Sequence, residues 1–232
     1  MNVIITGASK GFGKAMAAQF AAAGHTLLLC SRNAHDLYGA IATLQTQYPK
    51  CTIHARPVDM NIKEQVIEFG DWCLQFGVPD IIINNAGQFI PGSVYNEPEG
   101  ALEKMINVNL YSAYHLTRLL LPKMMEAKSG HIFNLCSIAS VQAYHNGGAY
   151  SISKFALLGF SKNLREEMKP HNIKVTAVIP GAAYTDSWSS SGIDPKRMME
   201  ADDVAKMVYA VSQLSLQACV EEIVMRPQLG DL

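Results

Sequence analysis

The chain has 232 residues, of which 49% are hydrophobic and 17% are charged, and its formal net charge is −1. This length suits a single domain with a sizeable core. The balanced charge argues against a nucleic-acid-binding surface, and no stretch reaches the roughly 18 apolar residues of a membrane span. The N-terminal residues lack a signal-peptide pattern, and the five cysteines lack metal-type spacing. We therefore expect a cytoplasmic protein with reduced thiols and no metal site.

Short apolar runs alternate with longer amphipathic stretches along the whole chain. The runs predict strands at residues 3–6, 26–30, 52–57, 81–84, 131–136, 174–179 and 222–226. The stretches predict helices at residues 13–23, 33–48, 99–128 and 148–169, and others that start near residues 61 and 201. This alternation predicts an α/β fold: a doubly wound, seven-stranded parallel sheet with helices on both faces, in a single domain over residues 1–232.

Particular residues predict where some of these helices begin or bend. Asn33 can cap the second helix, and Asn61 with Glu64 resembles a capping box that opens the third. Pro122 lies inside the long fourth helix, which we expect it to bend or shorten.

A glycine-rich segment joins the first predicted strand to the first helix. Glycines let this backbone turn tightly and approach a diphosphate, while free N–H groups and the helix dipole attract its negative charge. The alternative is a tight turn without a ligand. We predict a dinucleotide site that includes Gly7, Ser9, Lys10, Gly11, Phe12 and Gly13.

The choice between the two nicotinamide cofactors depends on the end of the second strand. A site selective for NAD(H) needs a carboxylate about 20 residues past the glycines, to bind the ribose 2′-hydroxyl. This chain has Ser31 and Arg32 there instead, and Lys10 can reach the same place. Two cations without an acid favour the 2′-phosphate of NADP(H). The alternative is that Arg32 is a solvated loop residue.

Tyr150 and Lys154 are four residues apart in a predicted helix. Residues i and i+4 share one helix face, so the phenol and the ammonium can reach the same pocket. A nearby lysine charge stabilises a phenolate and lowers the tyrosine pKa from its ordinary value of about 10. The pair therefore predicts a general acid with its tuning cation, although the spacing alone also occurs in ordinary amphipathic helices.

Further motifs follow the remaining strands in a characteristic order. They are Asp59, Asn84-Asn85-Ala86-Gly87, Asn109, Ser137, Pro180-Gly181 and Thr185. Together with the glycine loop and the Tyr150–Lys154 pair, they resemble the single-domain branch of the short-chain dehydrogenase/reductase family over essentially the whole chain. The resemblance implies a Rossmann fold and an oxidoreductase that uses NAD(P).

For the chemical step, the resemblance implies a catalytic set of Asn109, Ser137, Tyr150 and Lys154. Tyr150 would donate a proton to a substrate carbonyl as hydride arrives, or take the alcohol proton in the reverse direction. Lys154 would lower the pKa of Tyr150 and bind the cofactor ribose. Ser137 would orient the carbonyl, and Asn109 would bind a water that links Lys154 to solvent.

The resemblance also implies cofactor contacts beyond the glycine loop. Asp59, helped by the backbone of Met60, would hydrogen-bond the adenine edge, although an acidic residue at a helix start is an ordinary alternative. Thr185 would anchor the nicotinamide carboxamide or the phosphate. The other implied contacts are Asn85, Ala86 and Gly87 near the ribose, Tyr150 and Lys154, and Pro180, Gly181 and Ala183 near the nicotinamide. Ala183 replaces the Val or Ile usual in the family, so we expect looser packing under the nicotinamide.

The substrate side is expected from residues 140–146 and from a short serine-rich loop at about 182–200, which family members use as a mobile lid. His145 is either a second acid or carboxylate-binding group, or simply a polar residue of the pocket or surface. Trp188 is either an apolar wall for the substrate or a residue that packs the loop. Lys196 and Arg197 are candidates for a thin basic patch toward an acidic carrier protein.

These observations predict an NADPH-dependent oxidoreductase that reduces a ketone, an aldehyde or a 3-oxoacyl group to an alcohol. An acyl thioester, a small hydroxy acid and a generic carbonyl compound all remain open as the substrate class. The alternative from another class is a non-catalytic dinucleotide-sensing or scaffold protein of the same fold. A sugar-nucleotide epimerase is disfavoured by the glycine spacing and by the lack of a C-terminal substrate domain.

The resemblance implies a homodimer or homotetramer that pairs the two long helices. The fourth helix carries more apolar residues than one sheet-facing stripe requires, among them Met105, Leu110, Tyr114 and Leu119. The alternative is a monomer with a well-covered helix.

Overall fold

The computed structural model describes residues 1–185 and 192–232. The strands are β1 (Asn2–Thr6), β2 (Thr26–Ser31), β3 (Ile53–Pro57), β4 (Ile81–Asn84), β5 (Gly130–Leu135), β6 (Ile173–Pro180), β7 (Ala183–Tyr184), β8 (Met199–Glu200) and β9 (Glu222–Met225). The helices are α1 (Gly11–Ala22), α2 (Ala34–Gln47), α3 (Lys63–Leu74), α4 (Ala101–Ile106), α5 (Ser112–Ala127), α6 (Gly148–Met168) and α7 (Ala201–Ser212).

Seven strands form one parallel sheet in the order β3-β2-β1-β4-β5-β6-β9, which confirms the predicted fold class. Alternate strand residues face opposite sides of this sheet. Val3 and Ile5 pack in the cluster formed with α1, α2 and α7, whereas Ile4 packs in the cluster formed with α3, α5 and α6. Helices therefore cover both faces, as doubly wound sheets require.

The chain winds outward from β1 to β3 and then returns to place β4 on the other side of β1. The carboxyl ends of β1 and β4 consequently part at the centre of the sheet. Ligands of doubly wound proteins bind in the crevice at such a switch point. The topology thus brings the glycine loop after β1 next to the Asn85–Gly87 segment after β4.

The long fourth helix differs from its prediction. A π-helical stretch at Asn107–Tyr111 separates α4 from α5, while Pro122 lies within α5 without ending it. The extra residue of a π turn changes the direction of the side chains that follow, and such turns often accompany functional residues. Asn109 lies in this π turn and is buried.

Two other local features also differ from prediction. Ile62, not Asn61, occupies the N-cap of α3, so the predicted capping box is wrong. The Gln65 side chain instead accepts a hydrogen bond from the Asp59 N–H at 2.8 Å. The two-residue strands β7 and β8 pair in the substrate segment, a feature with no counterpart in the predicted elements. The predicted cap of α2 is confirmed, since the Asn33 side chain accepts from the Asp36 N–H.

Within residues 1–185 and 192–232, no helix is long and apolar enough to cross a membrane, and no group of three His, Cys, Asp or Glu side chains could hold a metal ion. All five cysteines are free thiols.

Candidate functional site

A cleft of about 640 Å³ lies at the carboxyl ends of the central strands. This volume suits a cofactor-sized molecule together with a small substrate. Most of the predicted cofactor residues line the cleft. They are Gly7, Ser9, Lys10, Gly11, Phe12, Arg32, Asp59, Met60, Asn85, Ala86, Gly87, Tyr150, Lys154, Pro180, Gly181, Ala183 and Thr185.

Gly13 is the exception among the predicted cofactor residues, because it does not line the cleft. A Cβ atom at Gly13 would lie 2.2 Å from the carbonyl oxygen of Gly7, well inside van der Waals contact. Its role is therefore to let α1 approach the loop closely. Residues of the loop and of the first turn of α1 line the cleft, and a helix N-terminus favours bound anions.

Asn85 braces the glycine loop from the neighbouring strand end. Its amide nitrogen donates to the carbonyl oxygens of Thr6 and Gly7, at 2.8 and 3.1 Å. The Thr6 hydroxyl in turn accepts from the backbone N–H groups of Asn85 and Ala86. The ends of β1 and β4 are thus fixed to each other before any ligand binds.

The end of β2 forms the far side of the cleft. The Ser31 hydroxyl donates to the Ser9 hydroxyl at 2.9 Å, which fixes this strand end to the glycine loop. Arg32 and Lys10 are both exposed there. Asp59, at the end of the next strand, accepts from the Asn61 N–H with one carboxylate oxygen, so the carboxylate is held in place.

Lys154 is buried, and its ammonium donates to the carbonyl oxygen of Leu135 at 2.6 Å. The ammonium lies 5.8 Å from the centre of the Tyr150 ring. Burial lowers the pKa of Lys154 to about 8, because the charged form loses hydration. The lysine and the tyrosine therefore face one part of the cleft, as their spacing predicts.

The pKa of Tyr150 differs from the expectation for this pair. Burial raises the pKa of the Tyr150 phenol, while a hydrogen bond with Ser137 acts in the opposite direction and the nearby Cys136 raises it further. The net shift of the Tyr150 pKa is therefore upward rather than downward as the sequence predicts, because burial is the largest contribution. A phenol in this environment keeps its proton at neutral pH.

Ser137 follows β5 and lines the cleft close to Tyr150. Its hydroxyl accepts from the Ala139 N–H at 3.2 Å, and its own N–H donates to the Ser140 hydroxyl. These two bonds cap a short 3₁₀ turn, Ile138–Ser140, and fix the serine at the strand end.

Asn109 lies behind the cleft wall and does not line it. Its carbonyl oxygen accepts from the Gln88 N–H at 2.7 Å, and its amide donates to the Ser153 hydroxyl at 2.8 Å. A Cβ atom at Gly87 would lie 3.3 Å from Asn109 and 3.5 Å from the Lys154 ammonium, so Gly87 separates the two. Asn109 thus joins the π turn between α4 and α5 to α6, the helix that carries Tyr150 and Lys154.

The substrate side contains residues that the sequence predicted only in part. Of the segment 140–146, Gln142 and Tyr144 line the cleft, whereas His145 is exposed and lies outside it. Trp188 lies outside the described residues. The sequence motifs did not indicate the following lining residues: Val58, Gln88, Phe89, Val108, Leu135, Cys136, Ile138, Asp231 and Leu232.

The chain after β9 provides an unexpected part of the wall. Arg197 donates to the carbonyl oxygens of Leu229 and Gly230 at 3.0 and 3.2 Å. Arg226 pairs with the Asp231 carboxylate. The two members of the predicted basic patch therefore differ, because the Arg197 side chain is bonded to the tail whereas Lys196 is exposed. An arginine in a short loop gave no signal of this contact in the sequence.

The chain resembles known proteins in its match to a family model, in its sequence and in its structure. The model for short chain dehydrogenases matches residues 1–196. A sepiapterin reductase of Chlorobaculum tepidum is 33% identical, with 99% of this chain and 97% of that protein covered. An uncharacterized oxidoreductase of Staphylococcus aureus is 30% identical, with 97% and 96% covered.

Two solved structures share the whole architecture. A metagenomic short-chain oxidoreductase in complex with NADP is 27% identical, with a TM-score of 0.84 and with 98% of this chain and 97% of that chain covered. An alcohol dehydrogenase of the archaeon Thermococcus sibiricus complexed with 5-hydroxy-NADP is 25% identical, with a TM-score of 0.89 and with 98% and 96% covered.

Proposed function

The chain belongs to the short-chain dehydrogenase family of oxidoreductases, and we propose that it reduces a carbonyl group to an alcohol with NADPH. One observation carries the proposal. The hydroxyl groups of Ser137 and Tyr150 and the ammonium of Lys154 share a single cleft with a dinucleotide-type glycine loop. This combination supplies a proton donor, a carbonyl-orienting group and a nearby cation beside a cofactor cradle.

Bound NADPH would supply the hydride that forms the new C–H bond at the carbonyl carbon. Tyr150 would give its phenolic proton to the carbonyl oxygen, which completes the alcohol. Ser137 would hydrogen-bond that oxygen and set its direction. The Lys154 ammonium would then stabilise the phenolate until solvent returns a proton.

The pKa shifts of Tyr150 and Lys154 favour reaction in the direction of carbonyl reduction. A general acid must hold a proton at the start of the step, and burial raises the pKa of Tyr150. Burial lowers the pKa of Lys154 only to about 8, so this side chain remains mostly charged at neutral pH. The cation is then present when the phenolate forms.

We infer a preference for NADP(H) over NAD(H). Arg32 and Lys10 are exposed beside Ser31 at the end of β2, where a carboxylate would favour NAD(H). Several related structures contain NADP or NADPH, which agrees with this inference. Arginine suits a phosphate because its planar fork allows bidentate contact.

The substrate class is a carbonyl compound of small to moderate size. Phe89, Val108 and Tyr144 give the cleft apolar walls around the donor, while Gln88 and Gln142 add polar groups. Ketones, aldehydes and 3-oxoacyl thioesters therefore belong in one test panel. The name of the sepiapterin reductase relative adds sepiapterin to it.

We also propose that the protein is a homo-oligomer. Exposed apolar side chains lie on two helical segments. Tyr111 and Tyr114 lie at the end of the π turn and the start of α5, and Ile152 and Phe155 lie on α6. Water-exposed aromatic residues on neighbouring helices favour burial against a second copy. Met105 does not contribute, because it is fully buried in the core. The molecular mass in solution, from sedimentation equilibrium, tests this proposal.

The Tyr150→Phe variant tests the catalytic proposal, because it removes one hydroxyl with little change in packing. We expect kcat to fall about 10²–10⁴-fold while NADPH binding remains. The measurement is NADPH oxidation against the carbonyl panel, beside NADPH titration by fluorescence. Tyr38→Phe, an exposed tyrosine of α2, is the matched control.

Two results would contradict the proposal. Wild-type turnover in Tyr150→Phe would remove the tyrosine from the chemical step. NADPH binding without turnover over the whole panel would favour the dinucleotide-sensing alternative.

A further inference from the structure

The helix that carries Tyr150 and Lys154 begins without a cap of its own. The N-cap of α6 is Gly147, which has no side chain to accept from the first N–H groups. Tyr150 is the third residue of this helix, so it lies in the turn that an uncapped helix end would fray first. The position of the phenol therefore depends on whatever holds that turn.

A residue far away in sequence supplies the missing acceptor. The carboxylate of Glu97 accepts from the backbone N–H of Ala149 at 3.0 Å. A Cβ atom at Gly148 would lie 2.6 Å from the same carboxylate and 2.5 Å from the carbonyl oxygen of Gly92, so a glycine is needed for this approach. The contact is also favourable for the negative charge, because the helix dipole is positive here.

The segment that carries Glu97 is itself fixed to the chain just before α6. The Gly92 N–H donates to the carbonyl oxygen of Asn146, and the Ser93 hydroxyl donates to the Asn146 side chain at 2.8 Å. The Glu97 N–H donates back to the carbonyl oxygen of Ser93. These bonds hold Glu97 in place opposite the helix start.

The same segment also packs on the tyrosine. The Phe89 ring meets the Tyr150 ring edge to face, with centroids 4.9 Å apart. Ile90 and Tyr150 pack against a small buried cluster that includes Ala149. Residues 89–97 thus contact both the ring and the backbone of the first turn of α6.

We propose that Glu97 is a positioning residue for the proton donor, which it aligns by capping the first turn of α6 from the segment after β4. This inference rests on the proposed role of Tyr150. Lys154 lies one turn farther along and is held by Leu135, so loss of the cap should disturb the phenol more than the cofactor side. Glu97 does not line the cleft, so its expected effect on kcat is exerted through Tyr150.

Two substitutions whose side chains are about as long as that of glutamate distinguish the loss of the hydrogen-bond acceptor from a change in side-chain size. Glu97→Met removes the acceptor oxygen, and we expect kcat to fall about five- to tenfold with an NADPH dissociation constant within about twofold of wild type. Glu97→Gln keeps a carbonyl oxygen, and we expect it to retain kcat within about twofold. Glu99→Ala, an exposed acid of the same segment, is the control.

A double variant distinguishes this inference from the proposed function. If Glu97 acts through the phenol, Glu97→Met should cause no further loss of kcat in a Tyr150→Phe background. An equal loss in both backgrounds, or wild-type kcat in Glu97→Met alone, would overturn the inference. Full activity of Tyr150→Phe alone would instead refute the proton-donor role on which it rests. NADPH titration of every variant confirms that the folded protein is being compared.

Discussion

The cofactor side of the cleft is built mainly from backbone, whereas its substrate side is lined by side chains from separate segments. Around the glycine loop, Asn85 and the Thr6 hydroxyl brace main-chain groups at the ends of β1 and β4. Elsewhere the walls of the cleft come from Phe89, Ser137, Tyr144 and Leu232, which are far apart in the chain.

This difference has a physical consequence. A backbone cradle depends on local φ/ψ values and close approach, so it tolerates few substitutions at its glycines. A wall of side chains depends on how loops dock, so one substitution there changes shape and affinity by smaller amounts. Variants of the two sides should therefore differ in size of effect.

Among the variants that compare the two sides, the largest effect on binding is expected at Gly13. In Gly13→Ala, the added methyl group would meet the carbonyl oxygen of Gly7 at 2.2 Å, so the loop or the helix must move. We expect NADPH affinity to fall at least about 100-fold, with a lower melting temperature. Fluorescence titration with NADPH and thermal unfolding measure the two effects.

Gly39 provides a matched control for that experiment. It is exposed within α2, and a Cβ atom there would meet nothing within 4 Å. Gly39→Ala should stabilise the fold by about 0.5–1 kcal/mol and leave NADPH affinity unchanged. Normal NADPH binding by Gly13→Ala would show that the cradle does not depend on this close approach.

The same contrast explains which parts of the molecule the sequence predicts. The positions of the strands and of the glycine loop follow from local patterns, because buried parallel strands and βα turns have strict residue requirements. The i, i+4 spacing likewise brings Tyr150 and Lys154 to one cleft. These features are all encoded within a few neighbouring residues.

Contacts between distant segments were not predictable in this way. The cap that Glu97 gives to α6 spans 52 residues, and the bonds from Arg197 to the tail span more than 30. Neither contact has a local pattern, since both depend on loop docking. The π turn around Asn109 was missed because a helical pattern does not distinguish a π turn from an α turn.

An intermediate effect is expected at Arg32, a side chain on the otherwise backbone-built side. Arg32→Asp replaces a cation beside the ribose position with a carboxylate that can bind a 2′-hydroxyl. We expect the ratio of kcat/KM for NADPH to that for NADH to fall about 100-fold. Steady-state kinetics with both cofactors measure it.

Lys50→Asp has the same change of charge at an exposed position before β3 and outside the cleft, and should leave that ratio unchanged. If Arg32→Asp behaved like Lys50→Asp with both cofactors, the NADP(H) assignment would be wrong.

The smallest effect is expected on the substrate side, at Arg197. Its guanidinium holds the backbone of Leu229 and Gly230, and the residues that follow, Asp231 and Leu232, line the cleft. Arg197→Ala removes these bonds without altering the cradle. We expect the KM for the carbonyl substrate to rise about three- to tenfold, while NADPH affinity and kcat change less than about twofold.

Lys196→Ala distinguishes two roles for Arg197, which either holds the tail or forms part of a charged docking patch. Lys196 is exposed beside Arg197, and of these two cations it is Arg197 whose side chain donates to the tail among the described hydrogen bonds. If the two cations attracted an acidic carrier protein, both variants would weaken acyl-carrier substrates alike, and the loss would shrink with added salt. If Arg197 shapes the wall, only Arg197→Ala raises KM, and it does so for uncharged ketones at any ionic strength. Equal KM values for both variants on a small ketone would show that the tail does not define the substrate side.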